Sequence, residues 1–137
     1  MSYLLDTNVV SELRRPRPDR GVLAWFDSVG STELHLSVLV LGEIRQGVEK
    51  LARRDPDQAA TYEKWLLELV DLFGDRIVRV TAEVADLWGR LNVPDRLPAV
   101  DGLLAATALV HGWTLVTRNT SDVARTGARL LNPFEGM

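Results

Sequence analysis

Short apolar runs alternate along the chain with longer segments in which apolar residues recur at the spacing of a helix. The runs predicted as strands are residues 2–5, 34–36, 77–80, 113–117 and 129–131. Strands that alternate with helices form parallel sheets covered on both faces. The pattern therefore predicts an α/β fold with a short central parallel sheet of about four to five strands.

Residues that favour helix ends bound the predicted helices. Asp19, Ser37 and Thr81 are suited to the N-cap position, and Gly74 and Gly112 to the position after the last turn. Two of these helices carry apolar stripes, formed by Val38, Leu41, Ile44, Val48 and Leu51 in one and by Leu66, Leu67, Leu69, Val70 and Phe73 in the other. Val9 to Leu13 is predicted as a further short helix.

Composition narrows the class of protein. We expect residues 1–137 to form a single domain, because 137 residues suffice for one hydrophobic core. The chain has no cysteine, which excludes disulfides and thiol nucleophiles, and its two histidines are too separated for a His-rich metal site. It has no apolar run long enough for a membrane span and no recognisable secretory signal, so we expect a cytoplasmic protein.

The formal net charge of −3 argues against a protein that coats nucleic acid. The negative charge does not exclude a nuclease, because the acidic site of a metal-dependent nuclease is occupied by metal ions in the active enzyme. Arginines cluster at 14–20 and 45–54. They could bind phosphates in a bidentate manner, or simply lie on solvated faces.

Four acidic residues stand where this fold would bring them to one edge of the sheet. They are Asp6, Glu43, Asp101 and Asp122. Two of them follow predicted strands, and the other two lie on early turns of helices that start at the same edge. Carboxylates brought together repel one another unless a cation lies between them, and clustered oxygens suit Mg²⁺ or Mn²⁺. The arrangement predicts metal-dependent phosphate chemistry, with a nuclease as the first hypothesis.

Ordinary structural roles stay open for these residues. Asp6, Thr7 and Asn8 all cap helices well, and Thr7 or Asn8 could cap while Asp6 binds metal. Glu43 could simply lie on a solvated helix face, Asp101 could be a favourable partner for a helix dipole, and Asp122 could cap a short helix. Ser37 and Thr117, at strand ends, could orient carboxylates, although we favour capping for both.

At this point the chain resembles the PIN-domain ribonucleases, and specifically the VapC-type toxins of prokaryotic toxin–antitoxin pairs. The matching segments are Leu5-Asp6-Thr7-Asn8, Ser37 through Glu43-Ile44, Asp101-Gly102-Leu103-Leu104-Ala105-Ala106-Thr107 and Thr117-Arg118-Asn119-Thr120-Ser121-Asp122. The resemblance implies a three-layer α/β/α fold, an acidic pocket holding Mg²⁺ or Mn²⁺, and cleavage of single-stranded RNA, with tRNA or rRNA as the expected target.

The resemblance also assigns roles at the site. Asp6, Glu43 and Asp101 take the three core acidic positions. Some members carry the fourth acid where Asn119 stands and others where Asp122 stands, so Asp122 is assigned as the fourth acid and Asn119 as a neutral ligand or orienter.

Partners are implied by the same resemblance. VapC-type toxins are neutralised by a cognate VapB-type antitoxin whose C-terminal segment covers the active site, often with a basic residue among the carboxylates. The helices around Leu41–Leu51 and Leu66–Phe73 are expected to provide the groove. A homodimer and a toxin–antitoxin hetero-oligomer are also implied.

Three alternatives are weighed against a nuclease that cleaves RNA. A phosphatase of the HAD type would need an aspartate where Asn8 stands, and a receiver domain would need a late lysine, which is absent after Lys64. A catalytically silent PIN-fold binding module would show weak metal binding. Only substrate assays would distinguish a PIN domain that prefers DNA from one that cleaves RNA.

Overall fold

The computed structural model describes residues 1–134. Its helices are α1 (Thr7–Glu12), α2 (Arg20–Ser28), α3 (Val38–Ala52), α4 (Pro56–Phe73), α5 (Ala82–Leu91), α6 (Ala99–His111) and α7 (Thr120–Val123). Its strands are β1 (Tyr3–Leu5), β2 (Leu34–Ser37), β3 (Ile77–Val78), β4 (Thr114–Val116) and β5 (Arg129–Leu131). Single 3₁₀ turns cover Ser31–Glu33, Gly74–Arg76 and Ala124–Thr126.

The strands form one parallel sheet of five strands in the order β3-β2-β1-β4-β5. This confirms the predicted parallel α/β architecture. β1 and β4 are central neighbours, and the pair Leu5 and Val116 aligns their carboxyl ends. The Asp6 N–H donates to the Val116 carbonyl at 2.9 Å, so the ladder continues one residue past β1. Asp6 and the residue after β4, Thr117, are thereby placed side by side at the carboxyl edge.

Helices cover the sheet in two groups. α3 packs on α4 and contacts α1, whereas α6 packs on α5 and contacts α7. The chain adds β2 and β3 on one side of β1, and then β4 and β5 on the other side. Because the crossovers between parallel strands are right-handed, this change of direction places the two helix groups on opposite faces of the sheet. The result is the three-layer α/β/α arrangement that the resemblance implied. Among residues 1–134, no helix is both long enough and apolar enough to span a membrane.

The core lies between these layers and explains why the short strands are so apolar. Leu4, Leu5, Leu36 and Val116 on the strands are fully buried. From the helices, Leu104 is equally inaccessible to solvent. Each such side chain contributes about 1.5–3 kcal/mol to folding. Strands buried on both faces read as continuous apolar runs, which is why their pattern could be recognised in the sequence.

The two predicted helix stripes are partly wrong. Ile44, Val48, Leu66, Leu69 and Phe73 are buried as predicted. In α3, however, the exposed fraction of Val38 is 38%, and the fully buried residue of the first turn is Val40. In α4, Leu67 and Val70 are exposed, at 57% and 37%. They lie on the flank of the buried stripe, since each residue turns the helix by about 100°.

Three predicted boundaries also differ. α1 begins at Thr7 rather than Val9, because the Asp6 side chain already caps the helix. β3 ends at Val78 rather than Val80, since it pairs only with β2, which ends at Ser37 and offers no partner further on. The predicted strand 113–117 is limited to β4.

Candidate metal centre

Asp6 lies directly after β1 and is both a helix cap and the most buried acid of the predicted site. Its side chain is 5% exposed. Oδ1 accepts a 2.7 Å hydrogen bond from the Thr7 backbone N–H, which caps α1. Oδ2 accepts from the Thr117 hydroxyl at 2.7 Å and weakly from the Asn8 amide at 3.4 Å. The two roles considered for Asp6 are therefore compatible in one side chain.

Glu43 is brought to this carboxylate by α3. Ser37 is buried and caps that helix, accepting a 3.1 Å bond from the Leu39 N–H, so α3 starts at the carboxyl edge of the sheet. Glu43 lies in its second turn, where Oε1 accepts a 2.5 Å hydrogen bond from the Thr7 hydroxyl. Thr7 thus connects two acidic residues, through its backbone to Asp6 and through its side chain to Glu43.

Asp101 and Asp122 approach from the other face. Asp101 is in the first turn of α6, and Asp122 is inside the short helix α7 rather than in the turn before it. The pKa of Asp101 is raised to about 6, chiefly by burial and in smaller part by the charges of Asp6, Asp122 and Glu43, in that order. The other three predicted acids are therefore close enough to Asp101 to interact with it electrostatically.

The pKa of Asp6 is also raised, chiefly because the carboxyl group is buried and in smaller part by the charge of Glu43. Hydrogen bonds from Thr117 and Thr7 act in the opposite direction and favour the ionised form. No basic side chain contributes to the shifts of Asp6 or Asp101. The acidic cluster is thus a region of uncompensated negative charge that a cation would stabilise.

A polar cavity of about 340 Å³ joins these groups. It is lined by Asp6, Thr7, Asn8, Glu43, Gln46, Asp101 and Asn119. The neutral Asn119, and not the exposed Asp122, lines the cavity together with the three acids Asp6, Glu43 and Asp101. Sequence reasoning missed Gln46, although it lies three residues after Glu43 and hence on the same helix face.

The donor set fits Mg²⁺ or Mn²⁺, because it consists of carboxylate, hydroxyl and amide groups with no thiol or imidazole. Within the described part of the chain, no three acidic or histidine side chains lie close enough together to ligate one ion jointly. Mg²⁺ commonly keeps several waters and binds only one or two carboxylates. Asp6 and Asp101, with water and the neutral oxygens of the cavity, are the residues best placed to hold it.

Thr117 orients Asp6 rather than capping a helix, contrary to the role favoured from its position. Its hydroxyl donates to Asp6 and accepts a 3.0 Å bond from the Asn119 N–H. Asn119 occupies the N-cap of α7 without a side-chain cap bond. The Asn8 side-chain oxygen accepts from the Arg118 N–H at 3.2 Å, which connects the loops after β1 and β4.

Thr117→Val is expected to reduce activity by about 10- to 100-fold, the effect typical of losing a group that orients a metal ligand. Without the hydroxyl, the pKa of Asp6 rises further, because the bond that favours its ionised form is lost. The acidic limb of the activity–pH profile should therefore move to higher pH. Thr126→Val is the control, since this buried threonine bonds only the local turn. Equal profiles for both variants would contradict the assigned role.

Comparison with known proteins identifies the family. The sequence model of the PIN domain matches residues 3–128. Toxin FitB of Neisseria gonorrhoeae is 32% identical over 136 residues, covering 96% of this chain and 97% of that protein. VapC ribonuclease Y4jK of Sinorhizobium fredii is 34% identical over 136 residues, with the same coverage. The crystal structure of FitAcB from Neisseria gonorrhoeae superposes with a TM-score of 0.85 at 32% identity, covering 96% of this chain and 97% of that chain. The chain belongs to the PIN domain family.

Proposed function

We propose that this protein is the toxin of a toxin–antitoxin pair and acts as an endoribonuclease that depends on Mg²⁺ or Mn²⁺. The carrying observation is that Asp6, Glu43 and Asp101 line one polar cavity at the carboxyl edge of the sheet, where their charges and that of Asp122 act on Asp101. The names of the two relatives, a toxin and a VapC ribonuclease, support the two halves of the proposal. The shared sheet of residues 3–131 supports a single PIN domain spanning 1–137.

The proposed roles follow from burial and hydrogen bonding. Asp6 and Asp101 would hold the ion, directly or through water, while Glu43 and Asp122 would add negative charge and position the attacking water or a second ion. An ion held there would supply activation of the attacking water and compensation of the charge that develops on the phosphate. In the hydrolysis, the water oxygen bonds to phosphorus, the bond from phosphorus to the leaving ribose oxygen breaks, and a proton lost by the water is balanced by one gained at that ribose oxygen.

Supporting residues keep the acids in place. Thr7 and Thr117 direct the carboxylates of Glu43 and Asp6 through their hydroxyls. Asn8 holds the loop after β4, and Asn119 presents a neutral polar group to the cavity. The substrate is RNA, with a tRNA or rRNA loop as the proposed target.

The proposed partner is a VapB-type antitoxin, in a hetero-oligomer built on a toxin homodimer. An apolar cavity of about 240 Å³ offers a place for it between α1, α2 and α4. Leu5, Val10, Leu13, Phe26, Trp65, Leu69, Leu72 and Phe73 line this cavity. The groove expected from the sequence is thus supported for Leu66–Phe73, whereas no residue of Leu41–Leu51 lines it. A basic antitoxin residue reaching the acids would relieve their repulsion.

Incubation of total cellular RNA with the purified protein tests the enzymatic half of the proposal. Discrete cuts are expected with Mn²⁺ or Mg²⁺, and none after EDTA treatment. If the protein is inactive with either ion although folded by circular dichroism, it is instead a silent binding module. Cuts that survive EDTA would point to a contaminating nuclease.

A further inference from the structure

We propose that Arg118 binds a phosphate of the RNA strand next to the one that is cleaved, and that Phe134 holds its guanidinium in place for this. The inference rests on the proposed ribonuclease function and extends it to the substrate contact at the rim of the acidic cavity. Neither residue was among the site residues predicted from the sequence.

The backbone of Arg118 is anchored to the acidic site on both sides. Thr117, the residue before it, donates its hydroxyl to Asp6 at 2.7 Å. Asn119, the residue after it, lines the cavity. The Arg118 N–H itself donates to the side-chain oxygen of Asn8, another residue of the cavity wall. The start of this side chain is therefore fixed at the cavity rim.

The side chain extends from that anchor onto an aromatic ring. The central guanidinium carbon of Arg118 lies 4.4 Å from the ring centroid of Phe134. Phe134 is only 5% exposed, and its N–H donates to the Asn132 side chain at 3.0 Å, which fixes the turn that carries the ring. Stacking uses the flat face of the guanidinium and leaves the N–H donors at its edge available, in the geometry that suits phosphate oxygens.

The charge of Arg118 is not neutralised within the described part of the chain. It makes no ion pair there, although the preceding residue, Thr117, contacts Asp6 directly. Arg45, close to Glu43 along α3, is different, because it forms ion pairs with Glu63 at 2.5 Å and Glu49 at 3.6 Å. Arg118 is thus an exposed cation whose backbone lies beside the acidic cavity and whose guanidinium contacts Phe134 rather than an acidic side chain.

The position of Arg118 would offset the repulsion between the acidic cavity and the phosphates of RNA. The chain carries a net charge of −3, and its acidic cavity repels RNA except where a bound ion compensates. A strand whose reacting phosphate lies over the cavity carries its neighbouring phosphates across the rim. A cation fixed at the rim would bind one of them and set the register of the strand without altering the acids themselves.

The test uses Arg118→Gln with Arg54→Gln as the matched control. Arg54 is exposed and follows the last turn of α3, at the end far from the cavity, so its substitution removes the same charge elsewhere. Initial rates are measured with Mn²⁺ on a labelled single-stranded RNA carrying a sequence cut in total RNA. We expect Arg118→Gln to raise KM about tenfold with kcat within about twofold. The slope of log(kcat/KM) against log[salt] should fall by about 0.7, the value for one single-strand phosphate contact.

Two further variants separate binding from structure. Arg118→Lys should restore the salt slope because the charge is kept, while part of the KM effect persists because the planar stack is lost. Phe134→Leu should raise KM in the same direction. If Arg118→Gln has the KM and salt slope of Arg54→Gln while the protein cleaves RNA, this inference fails and the proposed function stands. If the wild-type protein neither binds nor cleaves RNA, both fall.

Discussion

Asp6→Asn is expected to reduce RNA cleavage by at least about 1,000-fold, a loss of about 4 kcal/mol of transition-state stabilisation. The amide has almost the same shape as the carboxylate but cannot supply a negative ligand for the ion. Asn caps helices as well as Asp does, so the bond from the Thr7 N–H and hence α1 should persist. Single-turnover cleavage rates with Mn²⁺ and thermal unfolding of the same preparations measure the two effects.

Asp55→Asn is the matched control for this substitution. Asp55 caps α4 through the Gln58 N–H at 3.1 Å and lies near the end of α3 that is far from the cavity. The same chemical change at this N-cap should leave the cleavage rate unaltered. Asp6→Asn with wild-type activity, in a folded protein, would remove Asp6 from the metal centre.

Asp101→Asn should abolish cleavage and, in the metal-free protein, increase stability at neutral pH. The pKa of Asp101 is raised from 3.8 to about 6 on folding, so ionisation is harder in the folded state than in the unfolded state. Its charge therefore destabilises the fold above pH 6, and this penalty disappears as the pH falls below about 4. Asp101 is partly exposed, which limits the gain from its removal to about 1 kcal/mol.

Thermal unfolding across pH 4 to 8, without metal, checks this second prediction. The variant should unfold about 3 °C above the wild type at neutral pH, with the difference vanishing at the acidic end. Adding Mn²⁺ should raise the unfolding temperature of the wild type and not that of the variant. Asp57→Asn is the control, since Asp57 also lies in the first turn of a helix, and removing its charge should slightly destabilise α4. A variant less stable than wild type at pH 7 would contradict the repulsion inferred around Asp101.

The architecture was predictable because parallel strands that are buried on both faces are continuous apolar runs in the sequence. Leu4, Leu36 and Leu115 are almost completely inaccessible to solvent, and each lies in an apolar run that alternation with helices placed in a parallel sheet. The order of the strands did not follow from this pattern, since it depends on the direction of each crossover. The exposure of Leu67 and Val70 was missed for a related reason, because packing against α3 selects which flank of an apolar helix is covered.

In the candidate site too, some features could be predicted from the sequence and others depend on the tertiary structure. Asp6 and Asp101 were placed correctly at the edge of the sheet, because one directly follows a strand and the other opens a helix. The contact between Thr7 and Glu43 spans 36 residues and depends on how α3 is rotated, which no local pattern reports. The position of Asn119 on the cavity wall, with Asp122 outside it, likewise depends on where α7 begins.

The dependence of cleavage on Mn²⁺ concentration tests the central claim most directly. Metal-free wild-type protein and the Asp101→Asn variant are titrated with Mn²⁺, and the initial cleavage rate of a labelled single-stranded RNA is recorded at each concentration. We predict no cleavage without metal, a saturable rise for the wild type and no rise for the variant. A wild-type rate that is independent of Mn²⁺ and resistant to EDTA would contradict a metal-dependent acidic centre in this protein.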